Sequence, residues 1–239
     1  MTARGVDTYT VGRVSGPAAD ELPSSLWLAP GSRSAAGPAR EPDAGTRNAL
    51  ALLAAAEVRL EVRVADPLGT HLCLGRSGET TVRAVRRGAT LTVDFPHCDG
   101  TAVRLYRLVE AALPEVWGAE RCATACFPTE EGVEVLSCDD ASRMAAGLRS
   151  LAVPAAAASR LAHVLTRAET AVECTLEAAG RPLRSTVAVI DAPVGRVVAT
   201  TAPAADGRLW TAVAEGSAHR IGLALRRACE ELPGGAWLP

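Results

Sequence analysis

One recurrence constrains this chain more than any other feature. Val58, Leu60, Val62 and Val64 alternate with Arg59, Glu61 and Arg63, which is the period of a half-buried strand. Asp66-Pro67-Leu68-Gly69 then turns the chain, because proline presets φ and glycine accepts φ > 0. Residues 70–75 make a second strand, and Ser77-Gly78 turns again. Residues 80–86 make a third, and Arg87-Gly88 is the next turn. In a fourth, Ala89, Leu91, Val93 and Phe95 alternate with Thr90, Thr92 and Asp94. A short helix, Ala49–Glu57, stands in front, with Thr46 or Asn48 as its cap and Leu50, Leu52 and Leu53 as apolar anchors. Behind the strands, Asp99 or Thr101 starts a helix that puts Leu105, Leu108, Val109 and Ala112 on one face. It ends at Leu113-Pro114, where proline prevents continuation.

The same series returns. Ser159–Arg167 reads as a helix with Leu161, Val164 and Leu165 on one side. Val172, Cys174 and Leu176 alternate with Glu173, Thr175 and Glu177, and Ala179-Gly180 turns. Leu183, Ser185, Val187 and Val189 define the next strand, Asp191–Gly195 a turn, and Arg196–Thr201 a third strand. Pro203–Gly207 turns into a fourth, Arg208–Ala214. Ser217 caps a last helix carrying Ile221, Leu225, Ala228 and Leu232, closed by Leu232-Pro233. An alternating meander has one apolar face that helices must cover. The chain therefore reads as α+β: two pseudo-repeated antiparallel meander sheets with covering helices in quasi-twofold arrangement. Residues 1–45 are expected to form a poorly ordered N-terminal segment and linker, loaded with Pro, Gly and Ser over 29–47; within it Tyr9–Val14 has the character of a short strand. Residues 46–239 form the α+β domain, with repeats at about 46–114 and 159–233. The connecting segment, 115–158, holds a short strand near Val133–Leu136 and a helix near Asp139–Val153.

Composition narrows the function classes. The aromatic share is 3%, so the core is built from Leu, Val and Ala. With 25 basic and 27 acidic residues, the chain lacks the basic excess of a nucleic-acid binder, and no partner of that kind is expected. Every basic residue is arginine, which excludes chemistry carried on a lysine, such as a P-loop or a pyridoxal-phosphate Schiff base. No apolar stretch has the length of a membrane span, and the first residues lack the apolar run of a secretory signal; a cytoplasmic protein is expected. In that compartment the 7 cysteines read as small buried hydrophobes.

Four constellations have residue types that could carry chemistry. His97-Cys98 with Cys122, Cys126 and Cys138 lacks the paired spacing of a zinc site, so no metal or cofactor is expected. Phe95-Pro-His97-Cys-Asp99-Gly100 is similar to the HHxxxDG motif of condensation-type acyltransferases, but one residue separates His97 from Asp99 and the paired histidine is missing. A strand-to-helix turn with Asp99 as a cap accounts for it. No nucleophile elbow or dinucleotide loop occurs, and His71, His163 and His219 stand alone. Catalytic residues are therefore not assigned. Last, Ile190–Arg196 followed by Asp206–Val213 reads as a hairpin: Asp191 bonds its own turn, Pro193 fixes φ, Gly195 takes a left-handed conformation, and Trp210 packs on the neighbouring strand.

The segment Val189-Ile-Asp-Ala-Pro-Val-Gly-Arg-Val197, then Gly207-Arg-Leu-Trp-Thr-Ala-Val213 and a closing amphipathic helix, resembles the C-terminal part of the EspG family. These are type VII (ESX) secretion-associated proteins of actinobacteria, with a motif of roughly D-T-x-x-G-R and then D-G-x-x-W-x-x-V. Ala49–Val64 also resembles that family's leucine-rich helix followed by a charged alternating strand. Ala192 replaces the usual threonine, and the family's N-terminal LPFPL-like segment is reduced to Glu21–Trp27. The resemblance, over roughly residues 46–231, implies a quasi-twofold α+β fold and a cytosolic, non-enzymatic chaperone. Such a chaperone binds the helical tip of PE–PPE heterodimers or related substrates and delivers them to the secretion machine. The signature residues Asp191, Pro193, Gly195, Arg196 and Trp210 are structural in this reading, and partner-binding residues are not assigned. The alternative is a metal-dependent or acyl-transfer enzyme using the His97–Asp99 region.

Overall fold

The computed structural model describes residues 7–10, 44–66, 68–88, 90–114, 124–178 and 184–232. In chain order the elements are β1 (Asp7–Thr10), α1 (Ala44–Ala54), β2 (Val58–Val64), β3 (His71–Ser77), β4 (Thr80–Arg87), β5 (Thr90–Asp94) and α2 (Ala102–Glu110). They continue with β6 (Ala125–Pro128), α3 (Thr129–Leu136), α4 (Ala141–Ser150), α5 (Ala155–Leu165), β7 (Thr170–Ala178), β8 (Arg184–Ala192), β9 (Gly195–Pro203), β10 (Leu209–Glu215) and α6 (Ala218–Glu231).

The two meanders join edge to edge. All described strands form one sheet in the order β1-β5-β4-β3-β2-β7-β8-β9-β10-β6. The seam is the antiparallel pair β2–β7, centred on Glu61 opposite Thr175. A pseudo-twofold axis through that pair relates β2–β5 to β7–β10 and the outer strand β1 to β6. The recurrence reaches the caps. Thr101 accepts a hydrogen bond from the Arg104 amide at the start of α2, and Ser217 accepts one from the Arg220 amide at the start of α6.

Alternation gives each strand two faces. On the first, Val58, Leu60, Val62 and Val64 of β2 meet Val172, Cys174 and Leu176 of β7, and α2 and α6 lie across both with Leu105, Leu108, Val109, Ile221 and Leu225. These side chains are almost wholly buried, and each contributes about 1.5–3 kcal/mol by leaving water. Among the described residues, the second face is covered only at its flanks. Over the first repeat, α1 brings Ala49, Leu50 and Leu53 onto Cys73, Val82, Ala84, Leu91 and Val93. Over the second, α4 and α5 bring Met144, Leu148, Leu161 and Val164 onto Phe127, Val197 and Val213.

The structure corrects several local readings. Val133–Leu136, expected as a strand, is the end of helix α3, and the strand of that segment is Ala125–Pro128. Thr46 and Asn48, expected as caps, lie inside α1, which starts at Ala44. Thr101, not Asp99, is the N-cap of α2. Of the Tyr9–Val14 strand, Tyr9 and Thr10 belong to β1, and the rest lies outside the described residues, as does Cys122.

Candidate functional site

Among the described residues, no helix covers the second face of the sheet where β2 meets β7. Glu173 stands opposite Arg63, Thr175 opposite Glu61, and Glu177 opposite Arg59. Glu61, Arg63, Glu173, Thr175, Glu177 and Thr186 line a groove of about 150 Å³. Alternation puts these residues here: each is the polar neighbour of a core valine, leucine or cysteine on its own strand, so burying one set exposes the other. Opposite charges facing across strands stabilise the pairing by a few tenths to about 1 kcal/mol each. Arg63 donates to the Glu61 carboxylate at 3.1 Å, and the Arg59 guanidinium donates to the Ala54 carbonyl at the end of α1. Glu173 and Arg63 are exposed and Glu61 is nearly buried. Beside the stripe, the β2–β3 turn presents Leu68, which is 61% exposed. That turn is held by Asp66, whose carboxylate accepts from the Thr70 amide at 2.8 Å and its hydroxyl at 2.7 Å.

The signature residues lie on the other face. Asp191 and Arg196 face each other across β8 and β9 as a bidentate ion pair, with side chains about nine-tenths buried. Arg196 Nη2 also donates to the Pro114 carbonyl at 2.7 Å, just past the end of α2. From the first repeat, Arg83 donates to the Leu108 carbonyl at 3.3 Å and Arg87 to that of Ala111. Arginines from β4 and β9 thus satisfy carbonyls that a helix C-terminus leaves without partners, and their charge complements its dipole. The Asp191 side chain, expected to bond its own turn backbone, pairs with the Arg196 guanidinium instead, and the pair ties the second hairpin to the first repeat's helix. Gly195 has φ of 151°, outside the left-handed helical well that was expected but in a region that favours glycine. Trp210 lies opposite Ala202, half-buried, with its indole nitrogen buried and unpaired.

The His97–Asp99 region builds a helix start. Asp99 Oδ1 accepts from the Thr101 amide at 3.0 Å and from its hydroxyl at 2.7 Å, and Arg104 lies 3.7 Å from the carboxylate. The Thr101 hydrogen bonds hold the Asp99 carboxyl below its ordinary pKa, so it is an ionised acceptor in the turn that leads into α2. Among the described residues no three His, Cys, Asp or Glu side chains converge as a metal site. Burial pushes the thiols of Cys73, Cys174 and Cys229 up to about 12, so they are neutral packing groups. Cys126, by contrast, is exposed.

The stripe itself escaped the sequence reading, which treated Glu61, Glu173, Thr175 and Glu177 as ordinary solvent-side residues. The signal was present in their alternation, but nothing local says which two strands sit at the centre without a helix above them.

Comparison with known proteins places this architecture. No curated protein matches the chain. The solved structure of the type VII secretion system chaperone EspG5 of Mycobacterium tuberculosis, in complex with a PE25-PPE41 dimer, matches with a TM-score of 0.65 and 19% sequence identity. The match covers 81% of this chain and 80% of that one, a likeness of fold. The family model for EspG matches residues 33–227, which takes in the first repeat, all but the last residues of the second, the stripe and the signature hairpin. This chain belongs to the EspG family.

Proposed function

We propose that this protein is a cytoplasmic chaperone that binds a helical secretion substrate, a PE–PPE-like heterodimer or a related helical pair, and delivers it to an ESX type VII secretion system. The observation that carries the reading is the family match across residues 33–227. The fold likeness to EspG5, solved in complex with PE25-PPE41, supports it. We place the docking surface on the open β2–β7 stripe. Between the helices on its two sides lie two uncovered strands, a gap of roughly 10–14 Å at normal strand spacing. An α-helix with its side chains is about 10–12 Å across, so the gap takes one helical tip. The exposed apolar Leu68 beside the stripe gives such a tip a hydrophobic anchor, and Glu173, Thr175 and Arg63 give it polar contacts. An apolar tip left uncovered would self-associate; covering it requires no catalytic group, and we read the protein as a binding protein and not an enzyme. Among the described residues no helix is long and apolar enough to cross a membrane, in keeping with a carrier that acts before the membrane step.

Co-expression of the chain with the helical pairs encoded beside it, followed by pull-down, tests the reading. A complex of one copy with one heterodimer is expected, weakened by Glu173→Arg, which should lower the unfolding midpoint only slightly through loss of the cross-strand pair with Arg63. Failure of every candidate pair to co-purify, together with turnover of an acyl or metal-dependent substrate by the chain alone, would overturn it in favour of the His97–Asp99 alternative.

A further inference from the structure

Arg86 carries a charge that the described residues leave unbalanced. It lies on β4, on the face that carries the open stripe, and is only 7% exposed. Register puts it in a cross-strand row of bases: Arg63 on β2 faces His71 on β3, and His71 faces Arg86 on β4. Arg63 is matched by Glu61 at 3.1 Å, and Asp66 in the adjoining turn is engaged by Thr70. Arg86 gains no carboxylate from either. Its hydrogen bond among the described residues is a long one, from Nη2 to the Gly69 carbonyl at 3.3 Å, and its buried Nε donates to nothing. A guanidinium taken out of water without a counter-ion is costly, and one neutral carbonyl at the edge of bonding distance does not offset that cost. The fork of Nε and Nη donors fits two oxygens of one anion. His71, itself 6% exposed, stands beside it and keeps the surroundings polar.

We propose that Arg86, with His71 beside it, is a receptor for a single oxyanion of the carboxylate, phosphate or sulfate class, at the start of β3 and the end of β4, beside the β2–β3 turn. The experiment is thermal unfolding of the full chain, wild type and Arg86→Met, in inorganic phosphate, sulfate and acetate against chloride at matched ionic strength. Sulfate and phosphate raise the Tm of most proteins by exclusion from the surface, so the quantity read is the difference between the two chains. Wild type is expected to show an added, saturating rise that Arg86→Met lacks, as mass action requires of a site on the folded state. In chloride alone Arg86→Met is expected to melt at or above wild type, because the unmatched charge is gone. Parallel anion responses, or a markedly lower Tm of Arg86→Met in chloride, would overturn the proposal. ³¹P line broadening of inorganic phosphate, expected with wild type and lost with Arg86→Gln, gives a second reading; equal broadening overturns the proposal. The source of the oxyanion is then read from pull-down of the helical partner in rising phosphate. Competition in wild type but not in the variant marks a carboxylate of the partner as the occupant, and indifference marks a free ion.

Discussion

Replacing Gly222 by alanine sets two effects of known sign against each other. In an unobstructed helix interior, glycine to alanine stabilises by about 0.5–1 kcal/mol, because alanine loses less backbone entropy on folding. Gly222 is buried in α6 against the first residue of α2. A Cβ there would lie 2.7 Å from the Ala102 carbonyl carbon, 3.2 Å from its Cα and closer still to the carbonyl oxygen. The obstacle is backbone and cannot rotate away, so the two helices must part by roughly 1 Å. Overpacking of this kind costs about 1–3 kcal/mol and sometimes more. Here it also lifts Ile221 and Leu225 off the central core. The expected net effect is a loss of about 1–2 kcal/mol, or some 2–8 °C in Tm for a chain of this size. Urea titration followed by circular dichroism measures it. Ala102→Gly removes only a side chain and so should not rescue the variant. A Gly222→Ala protein more stable than wild type would refute the close crossing of α2 and α6.

Three further outcomes follow from the same geometry. Gly195→Val, at φ of 151°, should destabilise by about 1–3 kcal/mol, since β-branched residues are strained there; an unchanged denaturation midpoint would contradict it. Arg196→Met leaves Asp191 buried without its partner and frees the Pro114 carbonyl, so a loss of about 3–5 kcal/mol is expected, with Arg196→Met/Asp191→Leu recovering part of it. The buried thiols have a folded pKa raised from 9.0 to about 12. Their protons are therefore bound more tightly in the folded state, and the contribution, complete below pH 9, falls as pH climbs from about 9 toward 12 by about 1.4 kcal/mol per pH unit per thiol. Cys174→Ala should flatten that decline, and a profile as steep as wild type would show that the thiol is not the cause. A native-state thiol reagent should label Cys126 at once and these three only on unfolding.

The eight central strands were legible because each is a short period-two run bounded by turn residues, and α2 and α6 because their apolar positions recur at helical spacing. Their union in one sheet was not. Val58–Val64 reads identically whether it is an edge or a central strand, and its partner across the seam, Val172–Ala178, is remote in sequence. Val133-Glu-Val135 alternates over three residues and, with Leu136, imitates a short strand. Its context decides otherwise: Pro128 precedes it as N-cap, and Glu130 and Glu131 occupy the first helical turn. Ala125–Pro128 has little strand character; pairing with β10 and the complete burial of Phe127 make it one. The signature hairpin was recognisable by its turn chemistry, but the grip of Arg196 on the end of α2 depends on a contact across 82 residues. The open stripe is defined by which helices are missing above it, a property that no local pattern records.

Calorimetric titration of the purified chain with a purified PE–PPE heterodimer encoded beside it, in wild type and in Glu173→Arg, bears most directly on the central claim. Saturable binding at one heterodimer per chain is expected, with at least tenfold weaker affinity in the variant, equivalent to about 1.4 kcal/mol, because a longer side chain of reversed charge at the centre of the docking surface disturbs both its shape and its polar contacts. Absence of binding with every such heterodimer, or equal affinity in the two proteins, would contradict it: the first outcome removes the chaperone function, the second removes the stripe as its surface.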